Sequence, residues 1–275
     1  MENRIAIQGF EGSFHQEAAQ HYFGKNVSVI CCNTFKEVVK LASSKKQSDG
    51  AVMAIENSIA GSILPNYTLL QKSNLKITGE VYLQIKQHLL VNPGVELHDI
   101  KEVHSHPMAL LQCADFLDQQ TWKLSETEDT ALSAKHIHQH KCRHIAAVAG
   151  KIAAELYGLK ILIANIHTQK NNYTRFLVLQ KEDRMEEHTD ANKASINFFT
   201  NHTMGSLAKV LGKIADGGIN LSKLQSMPIP GSNFQYSFHA DMEFEDAAQF
   251  YRVMEHIQPL TQGIKVFGIY KNGNK

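Results

Sequence analysis

The chain has almost no net charge: 28 Lys+Arg stand against 27 Asp+Glu, a formal +1. Split near Glu182, neither part carries the basic excess that binding to a phosphate backbone draws on, which argues against nucleic acid as a partner. No apolar run approaches the length of about 18 residues needed to span a bilayer, so no membrane role is expected. The start, MENRIAIQGF, has charges where a secretory signal has its apolar core. A cytoplasmic protein is the expectation. Cysteine is scarce: Cys31 and Cys32 are adjacent, Cys113 and Cys142 lie far off, and there is no C-x-x-C pair for zinc or redox work. Reduced, partly buried thiols follow. Nucleotide loops of the G-x-G-x-x-G and G-x-x-x-x-G-K-[ST] types are absent, as are G-x-S-x-G and H-E-x-x-H. What remains is an enzyme without cofactor or metal, or a small-molecule binder.

The 275 residues correspond to about two domains at roughly 150 residues each. Hydrophobic residues at 43% and charged residues at 20% are a globular balance. Of 15 histidines, His136, His138, His140 and His144 crowd into KHIHQHKCRH. With no carboxylate ligand nearby, they read as a solvated segment rather than a metal site.

Apolar strands alternate with helices from RIAIQG onward, the signature of βαβ units and a parallel sheet. Ser13 caps the helix that follows, with Gln16 completing a capping-box pattern and Gly24 closing it. VSVICC, a helix from Thr34 through Ala42, GAVMAIENS and a helical stretch after Pro65 continue the pattern. KITGEVYLQIKQHLLV, EVHSHPMALLQCADFL and DTALSAKHI come next. HIAAVAGKIAAELYGL reads as a small-residue helix, and LKILIANI and TRFLVLQ as strands. KEDRMEEHTDANK has no apolar period and reads as a linker. Strand ASINFFT, helix SLAKVLGKIADGG, strand INLSKLQSMPI, a turn at PGSN, strand FQYSFHADMEF, helix EDAAQFYRVMEHI and strand IKVFGIY then give βαββαβ, the ferredoxin-like order. In the third of these strands Phe234, Tyr236, Phe238, Ala240, Met242 and Phe244 alternate with Gln235, Ser237, His239, Asp241 and Glu243. One face is thus buried, and the other is wet or covered by a partner chain.

Four segments are candidates for chemistry. Gly12 and Ser13 stand at a helix N-terminus, where free N–H groups favour an anion, or simply cap the helix. Glu56, Asn57 and Ser58 end an apolar strand, where open α/β sheets bind ligands, or cap the next helix. His106 precedes Pro107 at a helix start. In NNYTRFLVLQ, Asn172 lies in a turn before Thr174, Arg175 and Phe176 enter a strand. If that strand is extended, Thr174 and Phe176 share one face and Arg175 takes the other.

GFEGSFHQEAA, AIENSIAGS, HPMALLQC, AELYGLKIL and NNYTRFLVL, in this order and spacing, resemble the prephenate dehydratase family. GSLAKVLGKIADGGINLSKLQS is similar to that family's ACT regulatory domain. The likeness runs from Ile5 to Gln180 and from Ala194 to Tyr270. With no chorismate mutase segment ahead, it resembles the monofunctional form. Phe10, His15 and Met108 depart from the usual proline, serine and glutamine. Gln225-Ser226-Met227-Pro228 stands where Glu-Ser-Arg-Pro is common.

The resemblance implies an α/β, two-lobed, periplasmic-binding-protein-like catalytic domain at 1–182. A linker at 183–193 and an α+β ferredoxin-like (βαββαβ) ACT domain at 194–275 would follow. It implies conversion of prephenate to phenylpyruvate, water and CO2 with no cofactor or metal. Thr174 would donate to the leaving hydroxyl, with Glu56 or His106 assisting, and Asn57 and Ser58 would complete the catalytic group. Gly12, Ser13, Asn172, Arg175 and Phe176 would bind substrate, backbone N–H groups at Gly12-Ser13 and at the Asn57-Ser58 turn taking the carboxylates. L-phenylalanine would bind at Gly205, Ser206, Leu207, Asn220, Leu221, Gln225 and Ser226, in a pocket between two ACT domains. A homodimer or homotetramer follows. The rival is a non-catalytic two-lobed amino-acid sensor.

Overall fold

The structure is a computed structural model that describes residues 3–44, 46–182, 190–229, 231–233 and 235–273. Two compact units emerge: residues 1–66 with 81–176, and residues 67–80 with 177–275. Among the described residues no helix is long and apolar enough to cross a membrane. Phe234, Pro230 of the expected PGSN turn, and residues 183–189 of the expected linker lie outside the described residues.

The first unit starts with β1 (Arg4–Gln8), α1 (Phe14–Phe23), β2 (Ser28–Cys32), α2 (Phe35–Ala42) and β3 (Gly50–Asn57). β1 pairs in parallel with both β2 and β3, the arrangement that helical crossovers impose. Ile5, Ala6, Ile7 and the run from Ala51 to Ile55 are all buried, as strands covered on both faces must be. The short β4 (Gly61–Ser62) folds back on β3. α3 (Leu64–Lys72), β5 (Leu75–Gln84) and β11 (Tyr173–Lys181) each have residues in both units, and the strand order of the sheet is β2-β1-β3-β11-β5.

A second sheet holds β6 (His88–Val91), β7 (Glu102–Ser105), β8 (Lys123–Glu126), β9 (Ile145–Ala149) and β10 (Lys160–Ile163). Its order is β10-β6-β9-β7-β8. α4 (Pro107–Gln112), α5 (Ala114–Leu117), α6 (Thr130–Gln139) and α7 (Lys151–Tyr157) complete it. Two sequence readings are corrected here. The expected small-residue helix is a strand, β9, followed by α7, with Gly150 as the N-cap between them. β9 is the central strand and Ala146 to Ala149 are buried. An apolar run buried on every side has no period that separates strand from helix. β8 was not anticipated at all, because KLSE is a short edge strand with mostly exposed residues.

The second unit contains β12 (Lys193–Phe199), α8 (Ser206–Asp216), β13 (Asn220–Pro228), β14 (Tyr236–Glu243), α9 (Ala247–Ile257) and β15 (Gly263–Tyr270). The four strands are antiparallel, in the order β13-β14-β12-β15. Val210 and Ile214 of α8 and Phe250, Val253 and Ile257 of α9 bury against Ala194, Ile196, Phe198, Ala240 and Met242. The opposite face is neither wet nor left for a partner, as the alternation predicted. Ser195, Asn197, Ser237, His239 and Asp241 are at most 2% exposed.

Residues 67–80 of the same chain cover that face. The Tyr67 ring meets His239 edge-on at 4.7 Å, and Gln71 Nε2 donates to Asn197 Oδ1 at 3.3 Å. A Cβ at Gly268 would overlap the Ile77 carbonyl, so only glycine admits this approach. Three of these polar residues, Ser195, His239 and Asp241, bond to one another. Ser195 Oγ donates to Asp241 Oδ1 at 2.5 Å and lies 2.7 Å from the Tyr270 hydroxyl. His239 Nε2 approaches Asp241 Oδ1 at 3.2 Å. Lys193 Nζ donates to Glu80 Oε1 at 2.9 Å, with side-chain exposures of 1% and 0%.

Removing one member of so deeply buried a pair strands the other charge. Lys193→Met is expected to destabilise the second unit by about 3–5 kcal/mol, read as a lowered denaturation midpoint. Pairing it with Glu80→Leu should recover most of that loss. Equal destabilisation by the single and double changes would show that the pair does not hold residues 67–80 in place.

Candidate active site

A cavity of about 290 Å³ opens within the first unit, at the carboxyl ends of its strands, where α/β sheets present their ligand sites. Gln8 ends β1 and Asn57 ends β3. His106 follows β7, and Glu128 and Asp129 follow β8. β11 contributes Thr174 and Phe176 to the wall, while Arg175 is buried off it, its guanidinium 5.9 Å from the Tyr82 ring. The two-residue period of the strand produces that division.

Asn57, Ser58, Asn172 and Thr174 meet, although more than a hundred residues separate the two segments. Asn57 Nδ2 lies 2.7 Å from Asn172 Oδ1, 3.0 Å from Thr174 Oγ1 and 3.2 Å from the Tyr173 carbonyl. Asn57 Oδ1 accepts from the Ile59 and Ala60 N–H groups, each at 2.9 Å. Ser58 Oγ donates to the Asn171 carbonyl and accepts from the Tyr173 N–H. Asn172 is fully buried, and its Nδ2 finds no acceptor among the described residues.

Both expected anion cradles are corrected. The Ser58 N–H donates to the Tyr173 carbonyl, and those of Ile59 and Ala60 to Asn57, so the Asn57-Ser58 turn has no N–H to spare. The Gly12 N–H donates to Gln16 Oε1 at 2.7 Å and that of Ser13 to the Phe10 carbonyl. Gln16 therefore reaches past Ser13, unlike the expected capping box, while Ser13 Oγ accepts from the Gln16 N–H. Gly12 has φ +87° and packs against Ala153, so its role is a tight turn. The Phe14 and His15 N–H groups, in the first turn of α1, have no acceptor among the described residues, and both residues line the cavity. Glu56 is not part of the lining either; it lies in β3 opposite Ser62.

His106 caps α4, its Nδ1 accepting from the Met108 N–H at 3.2 Å, which leaves the ring proton on Nε2. Several lining residues had no sequence signal. Burial holds the His15 imidazole down at about 4, so it is neutral at pH 7; it packs edge-on to Phe176 at 5.0 Å. Gln87 is buried, and its Oε1 has no donor among the described residues. Burial pushes the Asp129 carboxyl above its ordinary value, against the Leu132 and Ala131 N–H bonds and His106. Asp129 is the N-cap of α6, and a D-T-A-L cap is legible once β8 before it is known. Among the described residues no lysine or arginine lines the cavity. A bound anion must therefore be met by N–H groups and neutral donors.

The effector candidates separate along the second unit. Gly205 is the N-cap of α8, and Ser206 Oγ lies 2.7 Å from Thr203 Oγ1. Leu207 and Leu221 pack on the core. Asn220 and Leu221 open β13, beyond the other end of α8. Gln225 Nε2 donates to the Ser226 carbonyl, and Met227 is buried.

The sequence profile of the prephenate dehydratase family matches residues 5–184. A bifunctional chorismate mutase/prephenate dehydratase of Buchnera aphidicola is 33% identical over 271 residues, 97% of this chain and 70% of that protein. Arogenate dehydratase/prephenate dehydratase 2 of Arabidopsis thaliana is 35% identical over 277 residues, 97% and 72% of the two chains. Among solved structures, GqqA, described as a novel type of quorum quenching acylase, superposes with a TM-score of 0.88 at 27% identity, covering 98% of each chain. Prephenate dehydratase from Arthrobacter aurescens, solved with L-Phe, gives 0.86 at 24% identity, over 99% of this chain and 91% of that one. With a matching mixed α/β fold, a profile that spans most of the chain and relatives alike over nearly all of it, the chain belongs to the prephenate dehydratase family.

Proposed function

We propose that the chain converts prephenate to phenylpyruvate, with Thr174 as the donor to the departing hydroxyl. The observation that carries this is Thr174 Oγ1 on the cavity wall, 3.0 Å from an amide that can only donate to it. The C–CO2⁻ bond breaks, its electron pair moves through the ring, and the C–O bond opposite breaks. Hydroxide takes up one proton through the Thr174 hydroxyl, which regains its proton from solvent, and leaves as water. The ring becomes aromatic, so the electrons balance without a redox partner. The cavity, near the small end of the usual range of about 300–1,000 Å³, suits a single ring with short arms. Phe176, Phe14 and Ile85 wall it. The Phe14 and His15 N–H groups are placed for a carboxylate at the positive end of α1, and His106 Nε2–H supplies a further donor.

We further propose that residues 194–275 form an ACT domain that binds L-phenylalanine, the ligand of the Arthrobacter aurescens relative. Gly205–Leu207 and Asn220–Leu221 stand at opposite ends of α8, roughly 16 Å apart by helix rise. One small amino acid reaches both sets only if a second copy supplies one of them, so the reading requires at least a dimer.

Purified protein is expected to form phenylpyruvate from prephenate without added cofactor and with chelator present. No turnover would leave the amino-acid-sensor reading in its place. Thr174→Ala removes a donor used mainly in the transition state, so kcat should fall about 100-fold or more while KM changes little. Thr174→Ser should keep much of the activity; equal behaviour of the two variants would rule out the hydroxyl. For regulation, phenylalanine should inhibit the full chain, and Asn220→Ala should weaken inhibition about 5-fold or more with basal turnover unchanged. Undiminished inhibition, competitive with prephenate, would place the effector in the catalytic cavity.

A further inference from the structure

A hydroxyl carries one proton, and its direction decides whether Thr174 can donate to a leaving group. Side-chain amides are often ambiguous in this respect, because O and N are hard to tell apart. Asn57 is not. Its Oδ1 accepts two backbone N–H groups, from Ile59 and Ala60, at 2.9 Å each. Turned over, the amide would set its NH2 against two donors. Nδ2 must therefore face Thr174 Oγ1 at 3.0 Å and Asn172 Oδ1 at 2.7 Å. An amide nitrogen only donates, so Thr174 Oγ accepts on that side. Its own proton has no acceptor among the described residues, and the cavity lies before it.

Asn172 carries the mark of the same polarity. Asn57 obliges it to present oxygen, and its Nδ2 is left buried and unmet. A buried donor is left in this state at a cost, which fixes the sense of the whole Asn172–Asn57–Thr174 series.

We propose that Asn57 is a positioning residue: pinned by two N–H groups of its own turn, it sets Thr174 as a donor into the cavity rather than an acceptor. The proposal rests on the reading of Thr174 as the donor to the leaving hydroxyl. A hydroxyl that accepts a hydrogen bond is also a better donor, so the same contact strengthens the bond to the departing oxygen.

Asn57→Asp tests this with almost no change of shape. One carboxylate oxygen still accepts from Ile59 and Ala60, so the turn is kept. The other now accepts where Nδ2 donated, and the Thr174 proton turns to it. At neutral pH, kcat for prephenate should fall about 100-fold or more with KM little changed. As pH is lowered the new carboxyl protonates and donates again, so the ratio of variant to wild-type kcat should rise. His15, His106, Glu128 and Asp129 on the cavity wall, and Glu56 and Arg175 beside Asn57 and Thr174 in their strands, are common to both proteins and cancel in that ratio. In a Thr174→Ala background, Asn57→Asp should cost nothing more. Should Asn57→Asp fold poorly by circular dichroism, Asn57→Ser keeps an acceptor for the turn but has no second branch to place a donor where Nδ2 stood, and should lose kcat equally without recovery at low pH. Near-normal kcat in both variants, losses that add to that of Thr174→Ala, or a ratio flat with pH would overturn the proposal. Failure of the wild-type protein to turn over prephenate would instead remove the reading beneath it.

Discussion

The Asn57 carboxamide joins three stretches of chain: the end of β3, the turn at Ser58–Ala60, and the start of β11 more than a hundred residues away. Each of its polar atoms is committed, two N–H groups arriving at the oxygen and the nitrogen turned toward Asn172 and Thr174. Ser58 doubles the tie through the Asn171 carbonyl and the Tyr173 N–H. With both strands locked at their mouths, the two-residue period of β11 puts Thr174 and Phe176 into the cavity and Arg175 outside it. The position of the Thr174 hydroxyl is thus a consequence of backbone pairing fixed by one amide.

On the proposed reading the cavity would take its substrate with no lysine or arginine among the described residues of its wall. A lysine or arginine would bind a dianion tightly in the ground state, yet one of the carboxylates has to leave as neutral CO2. Neutral donors and helix N–H groups favour the anion without fixing it so firmly, and only interactions stronger in the transition state raise the rate. Burial keeps His15 uncharged and biases Asp129 toward its neutral form, which lowers the repulsion a dianion would meet.

The second unit shows the same economy in its buried face. A sheet with Ser195, Asn197, Ser237, His239 and Asp241 on one side would ordinarily face water. Here Ser195, His239 and Asp241 bond to one another, Asn197 bonds to Gln71 of residues 67–80, and Lys193 meets Glu80 at full burial. Each paired charge is tolerable only because its partner is present, so residues 67–80 meet the sheet through matched polar groups as well as through the buried Tyr67, Leu70, Leu75 and Ile77.

Much of this was legible in the chain itself. The alternation of apolar strands with helices, the Ser13 cap, the helix beginning near Thr34, Pro107 at the start of α4, and the helix SLAKVLGKIADGG are local signals. Local physics decides them: backbone hydrogen bonding, capping and amphipathic period act over a few residues. The Glu-Asn-Ser and Thr-Arg-Phe segments stood out as candidates for the same reason, being polar residues at strand ends. What the chain could not declare was which polar groups are already spent. Gly12, Ser13 and the Ser58 turn have N–H groups that look free in sequence and are consumed by Gln16, Phe10, Asn57 and Tyr173. His15, Gln87 and Asp129 become site residues only when two sheets close over them. A polar residue reads the same whether its partner is water or a side chain a hundred positions away, and only the tertiary structure makes that choice.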